Sequence, residues 1–136
     1  MSFETALVWE SLPQIVSGVG LTLELLVLSL ALGTALGILL ALMRISGIGM
    51  LSWPAFFYIY VFRGTPLLVQ LFIIYHGLAQ FEAIRESFLW TFLREPFWCA
   101  IIAFSLNVAA YCAEILRGGI QGVDRGLHEA GRALGL

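Results

Sequence analysis

Three long apolar stretches organise the chain. The first, Leu25 to Met43, holds 19 residues without a charge. As a helix it extends ~28 Å at about 1.5 Å per residue, close to the ~30 Å hydrocarbon core of a bilayer. Extending it back to Val19 takes in Glu24 near one end. The second stretch, Leu51 to Phe81, is interrupted only by Arg63, and the third, Pro96 to Ala113, ends at Glu114 and Arg117. All three are longer than an ordinary buried strand, and none alternates as a strand does. The pattern predicts an all-α integral membrane bundle with helices over about 19–43, 54–81 and 97–116.

Polar and small positions inside these stretches refine the picture. Ser29, Gly33, Gly37 and Ala41 recur every fourth residue. They share one helix face and let a neighbouring helix approach closely. Ser52 and Pro54 read as the start of the second helix. Arg63-Gly64-Thr65-Pro66 then falls inside the apolar run, where a proline removes a helical hydrogen bond and kinks the helix. Arg63 reads either as a side chain snorkelling to the cytoplasmic boundary or as part of a polar, kinked stretch facing a pathway. Gln70 and His76 follow, and neither is assigned chemistry. In the third helix Ala103, Asn107, Ala110, Glu114 and Arg117 share a face. An unpaired amide at Asn107 is expensive in the middle of a membrane span. Its reading divides between an interhelical hydrogen bond and a polar contact in a transport path. Glu114 and Arg117 are spaced to pair with each other.

The stretch 82–95 mixes Ile84, Phe88, Leu89, Phe92 and Leu93 with Arg and Glu and adds Trp90. This amphipathic pattern suits a segment lying on the outer membrane surface.

Composition supports the membrane reading. Of 136 residues, 60% are hydrophobic and 12% charged, against about 25% charged in a soluble domain. The net charge of −2, with seven scattered Arg and no Lys, gives no sign of a nucleic-acid partner. The N-terminus has neither a basic region nor a small-residue cleavage site, so no removable signal peptide is expected. Arg44 follows the first helix, Arg85 and Arg94 follow the second, and Arg117, Arg125 and Arg132 follow the third. The positive-inside rule then places the N-terminus outside and the tail inside.

No catalytic arrangement emerges. A nucleophile elbow, a His-Glu-x-x-His pair, a phosphate-binding loop and a dinucleotide glycine pattern are all lacking, and no cofactor or metal is implied. Cys99 and Cys112 have no metal-ligand spacing and read as packing or membrane-facing thiols. His76 and His128 do not form a pair with local carboxylates. A transport role would therefore draw on a gradient or on a partner that binds nucleotide.

The tail is the most informative segment. Asp124 is placed to cap a short helix with Glu129 in its early part. Ala130, Ala133 and Leu134 form an apolar face that suits docking into a partner's groove or lying on a surface. Glu129-Ala130-Gly131-Arg132-Ala133-Leu134-Gly135 resembles the start of the EAA loop of ABC importer permeases, with Gly131 where that pattern has Ala. Phe62-Arg63-Gly64-Thr65-Pro66-Leu67-Leu68-Val69-Gln70 is similar to a stretch typical of the polar amino-acid branch, which imports histidine, glutamine, arginine and related compounds including opines. Ala110-Tyr111-Cys112-Ala113-Glu114-Ile115-Leu116-Arg117-Gly118-Gly119-Ile120, and Gly18 followed by Thr22-Leu23, resemble it too.

The resemblance implies the type I importer permease fold, of which this chain holds the first three transmembrane helices. It implies a bacterial inner membrane location with a periplasmic N-terminus. It also implies a second permease subunit, an ATP-binding subunit that carries the hydrolysis, and a periplasmic substrate-binding protein. Glu129, Ala130, Gly131 and Gly135 would couple to the ATPase within a cytoplasmic segment over 117–136. Thr65, Asn107 and Glu114 are the candidates for lining the substrate pathway. Because the sequence stops inside the loop, it is expected to be a fragment or truncated product. The alternatives are a small non-transporting membrane scaffold and, more remotely, a membrane enzyme.

Overall fold

The structure, a computed structural model, describes residues 2–123 and 125–135; the side chains at 2–12, 14, 125, 127, 128 and 131 are outside that description. Among the described residues every regular element is a helix or helical turn, and there is no strand. Helix α1 runs from Ser2 to Ile45, well beyond the expected 19–43, and continues through Pro13. Its Ile15–Ile45 part is long and apolar enough to cross a membrane. Gly47, at φ +72°, makes the left-handed turn that stops it.

Helix α2 (Gly49–Gly64) starts five residues before Pro54, not at it. Ser52 therefore lies inside the first turn and caps nothing. The expected single helix over 54–81 is corrected by the structure. The chain breaks after Gly64, with Thr65 extended at φ −114° and ψ 141°. Thr65 precedes a proline, whose ring disfavours the helical region for the residue before it. Helix α3 (Leu67–Phe72) then resumes and runs into a wide π turn over Ile73–Gly77 and a tight turn over Leu78–Gln80. The two arms, Gly49–Gly64 and Leu67–Gln80, meet at 108°. Each arm is about 21–24 Å long, short of a ~30 Å core.

Two single turns follow, α4 (Glu82–Arg85) and α5 (Trp90–Leu93). Helix α6 (Pro96–Gln121) begins with proline at a position where the missing N–H is harmless. It is the second helix long and apolar enough to span a membrane, and the bent pair makes a third if it counts as one span. It runs past the expected end at 116, through Gly118 and Gly119. Helix α7 (Arg125–Ala133) closes the described chain. Asp124, expected to cap it, lies outside the described residues, and Glu129 sits in its middle, not its early part.

The α1–α6 seam positions everything else. A Cβ built at Gly33 would stand 2.7 Å from the Val108 Cβ and 2.8 Å from the Ser105 carbonyl oxygen. At Gly37 it would stand 2.8 Å from the Cys112 Cβ. The predicted ladder of small residues is thus the face on which α6 lies, answered on α6 by buried Ser105, Ala109 and Ala113. Beyond Gly37, Leu40 and Ala41 join Ala55 and Ile59 of α2 in the same core. Cys99 is buried, its thiol 3.1 Å from the Leu93 carbonyl, and Cys112 packs against α1, so both read as packing thiols.

Candidate functional site

The break between α2 and α3 leaves backbone carbonyls without helical partners in an apolar bundle, where each must be satisfied internally. One side chain does most of this. Gln70, buried on the first turns of α3, directs its Nε2 at the Phe62 carbonyl (2.8 Å), the Thr65 carbonyl (3.1 Å) and the Thr65 hydroxyl (2.8 Å). Thr65 Oγ1 in turn donates to the Val61 carbonyl at 2.8 Å. The other end of the amide reaches across the bundle: Gln70 Oε1 accepts from Asn107 Nδ2 at 3.1 Å. Asn107 lies eleven residues into α6, about 16 Å from its start. The polar knot therefore sits well inside the span. Nearby, Tyr58 ties α2 to the same part of α6 by donating to the Leu106 carbonyl at 2.7 Å.

Cavities flank this knot on two sides. One of about 220 Å³ is bounded by Val61, Phe62, Thr65, Val69, Gln70 and Ile73. The other, about 320 Å³, lies between α1, α3 and α6 and includes Thr22, Ser29, Leu67 and Asn107. Thr65 faces the first and Asn107 the second, with the Gln70–Asn107 amide pair between them.

Of the three candidate pathway residues, the structure brings Thr65 and Asn107 together through Gln70. It places Glu114 elsewhere, seven residues or about 10 Å further along α6. Glu114 accepts from Arg117 Nε at 3.0 Å and from its Nη2, and Arg117 Nη1 bonds Gln121 Oε1. Arg63, in the last turn of α2, lies 5.5 Å from the centre of the Tyr111 ring of α6. Gln70 was the residue missed by sequence reasoning. Its signal was available: a lone amide in an apolar run, five positions after Thr65 and just past the proline.

At the other end of the chain, Glu129 and Ala130 are exposed on α7. Leu134 N–H bonds the Ala130 carbonyl at 3.2 Å, and Gly135 N–H bonds the Arg132 carbonyl at 3.1 Å. Gly135 has φ +79°, so the glycine closing the Glu-Ala-Gly pattern is the left-handed stop of the helix. Among the described residues no three His, Cys, Asp or Glu side chains gather as metal ligands.

Residues 33–136 match the family described as binding-protein-dependent transport system inner membrane component. The chain belongs to this family. The octopine transport system permease protein OccM of Rhizobium radiobacter is 53% identical over 136 residues, which is 100% of this chain and 56% of that protein. The nopaline transport system permease protein NocM of Agrobacterium fabrum is 48% identical over 131 residues, 96% and 54% of the two chains. A crystal structure of an amino acid ABC transporter with histidines superposes with a TM-score of 0.80 at 40% identity, covering 95% of this chain and 56% of that one. The chain thus spans about half the length of the curated relatives it matches. Membership of an inner membrane transport family supports the transport reading over the small scaffold.

Proposed function

We propose that this chain supplies membrane-spanning helices of the permease subunit of an ATP-driven importer for polar amino acids or opines. It would work with a second permease subunit, an ATP-binding subunit that carries the hydrolysis, and a periplasmic substrate-binding protein. The observation that carries the reading is a polar knot at a broken span, deep in an apolar bundle, in a chain of this transport family. Broken helices with satisfied backbone groups are where membrane transporters place polar cargo. Thr65 and Asn107, facing the two cavities, line the pathway in this reading, and Glu114 lies further along it toward the cytoplasm.

The N-terminus is periplasmic on the arginine distribution, and the segment 82–95 lies at the outer surface. Helix α7 then emerges on the cytoplasmic side. Glu129, Ala130, Gly131 and Gly135 form the face and stop of a short helix docked on the ATPase, through which its closure moves the bundle. Co-purification from membranes with the ATP-binding partner tests this. Glu129→Arg reverses the exposed charge. Gly135→Pro removes the N–H bonded to Arg132 and imposes a negative φ. Each is expected to abolish ligand-stimulated ATP hydrolysis. If both leave assembly and stimulation intact, the coupling assignment is wrong.

A further inference from the structure

Arg44 closes the membrane-spanning part of α1; among the described residues no carboxylate lies within ion-pair distance of it, and its charge acts on the Glu114 carboxylate. Its Nη1 donates to Ser52 Oγ at 3.1 Å, and its guanidinium lies 4.9 Å from the centre of the Phe56 ring. Its Nε is buried and makes no hydrogen bond. The ion pairs among the described residues are Arg94–Glu95 and Glu114–Arg117, so the carboxylate of Glu114 is already engaged on its own helix. Beside the guanidinium is a cleft of about 270 Å³ bounded by Arg44, Ser52, Trp53 and Phe56. Its apolar walls are exposed, Trp53 75% and Phe56 44% accessible.

Three considerations decide what this cleft suits. A half-buried guanidinium with no ion-pair partner among the described residues is stabilised by an anion that can accept several N–H bonds, which phosphate does with matching geometry. The end of a membrane-crossing helix lies at headgroup depth, where a tryptophan with one wet edge is also at home. The cleft has room for a phosphodiester, and its apolar rim suits the glycerol and first methylenes of a lipid rather than water. We infer that Arg44, Ser52 and Trp53 form a binding site for the phosphate of an anionic phospholipid. Arg44 supplies the charge, the Ser52 hydroxyl is a second donor, and Trp53 is the interfacial wall. Basic pockets between membrane helices take anionic headgroups on the cytoplasmic side, so the inference rests on the orientation proposed above, which puts Arg44 at that face, but not on the transport role.

The test is native mass spectrometry of the chain released from nanodiscs holding equal phosphatidylglycerol and phosphatidylcholine. The unmodified chain is expected to retain phosphatidylglycerol preferentially. Arg44→Gln should lower that preference about fivefold, the size expected for one basic residue near an anionic surface. Trp53→Ala, at an exposed position that bears little on folding, should lower it as well. Arg44→Lys should keep most of it, and Arg94→Gln should leave it unchanged. Equal retention of both lipids by the unmodified chain overturns the site without any variant, as does an unaltered preference in Arg44→Gln. Displacement of the lipid by inorganic phosphate alone would assign the cleft to a free anion and overturn the lipid.

Discussion

Helix α6 is held on one side by missing side chains and on the other by amides. Against α1 the contact is made at Gly33 and Gly37, where backbone approaches backbone too closely for a Cβ. Against the α2–α3 bend it is made by Asn107, Gln70 and the Tyr58 hydroxyl. In lipid the hydrophobic effect does not drive helices together, so both devices are available, but they differ in kind. Close packing is short-ranged and has one solution. A hydrogen-bonded clasp can exchange partners, provided that every donor and acceptor finds a new one. The seam is suited to a fixed frame and the clasp to a part that moves.

The largest effect is expected at the seam. Gly33→Leu pushes a side chain into the Val108 Cβ and the Ser105 carbonyl, neither of which is a flexible tip. It should destabilise the bundle by about 3 kcal/mol, as overpacking does, read as a shift in steric-trapping unfolding in bicelles. A shift below about 1 kcal/mol would show that α1 can slide and that the seam is no frame.

Breaking the clasp should do less to stability and more to shape. Gln70→Leu leaves the Phe62 and Thr65 carbonyls unsatisfied, at about 1–2 kcal/mol. Spin labels at exposed Phe57 and Tyr75 flank the bend. Their distance distribution should broaden in Gln70→Leu and stay narrow in Gly33→Leu. The same width in both would erase the distinction between frame and moving part. The smallest effect sharpens the comparison: a double-mutant cycle of Gln70→Leu with Asn107→Leu should give a coupling of about 0.6 kcal/mol, the average for such bonds in membranes. Additivity would mean that Asn107 supports the bend by volume alone.

These two contacts were unequally legible in the sequence. The ladder of Ser29, Gly33, Gly37 and Ala41 was readable because a helix repeats its faces by a fixed rule, and the structure lays α6 on that face. The break was half readable. Proline announces a lost hydrogen bond, but not the 108° between the arms, which depends on where the freed carbonyls find partners. That partner is Gln70, whose own acceptor bond comes from a residue 37 positions away. No local pattern carries such a pairing. The same holds for α2, whose start at Gly49 follows from the turn at Gly47 and not from the Ser-Pro signal three residues on. In the tail, the resemblance marked Gly135, and only the backbone gives the reason: a left-handed residue that other amino acids rarely adopt.

The bend also bears on how the chain is made. A translocon commits segments to lipid by their apolar length. The uncharged Leu25–Met43 stretch of α1 passes that test alone. The arms Gly49–Gly64 and Leu67–Gln80 are each too short to pass it, and Arg63 lies at their junction. The acceptor for Tyr58 and the donor for Gln70 both belong to α6, 48 and 37 residues downstream. The bent pair should therefore linger at the lateral gate until α6 emerges and then enter lipid with it, so that biogenesis proceeds by a single helix followed by a three-armed unit.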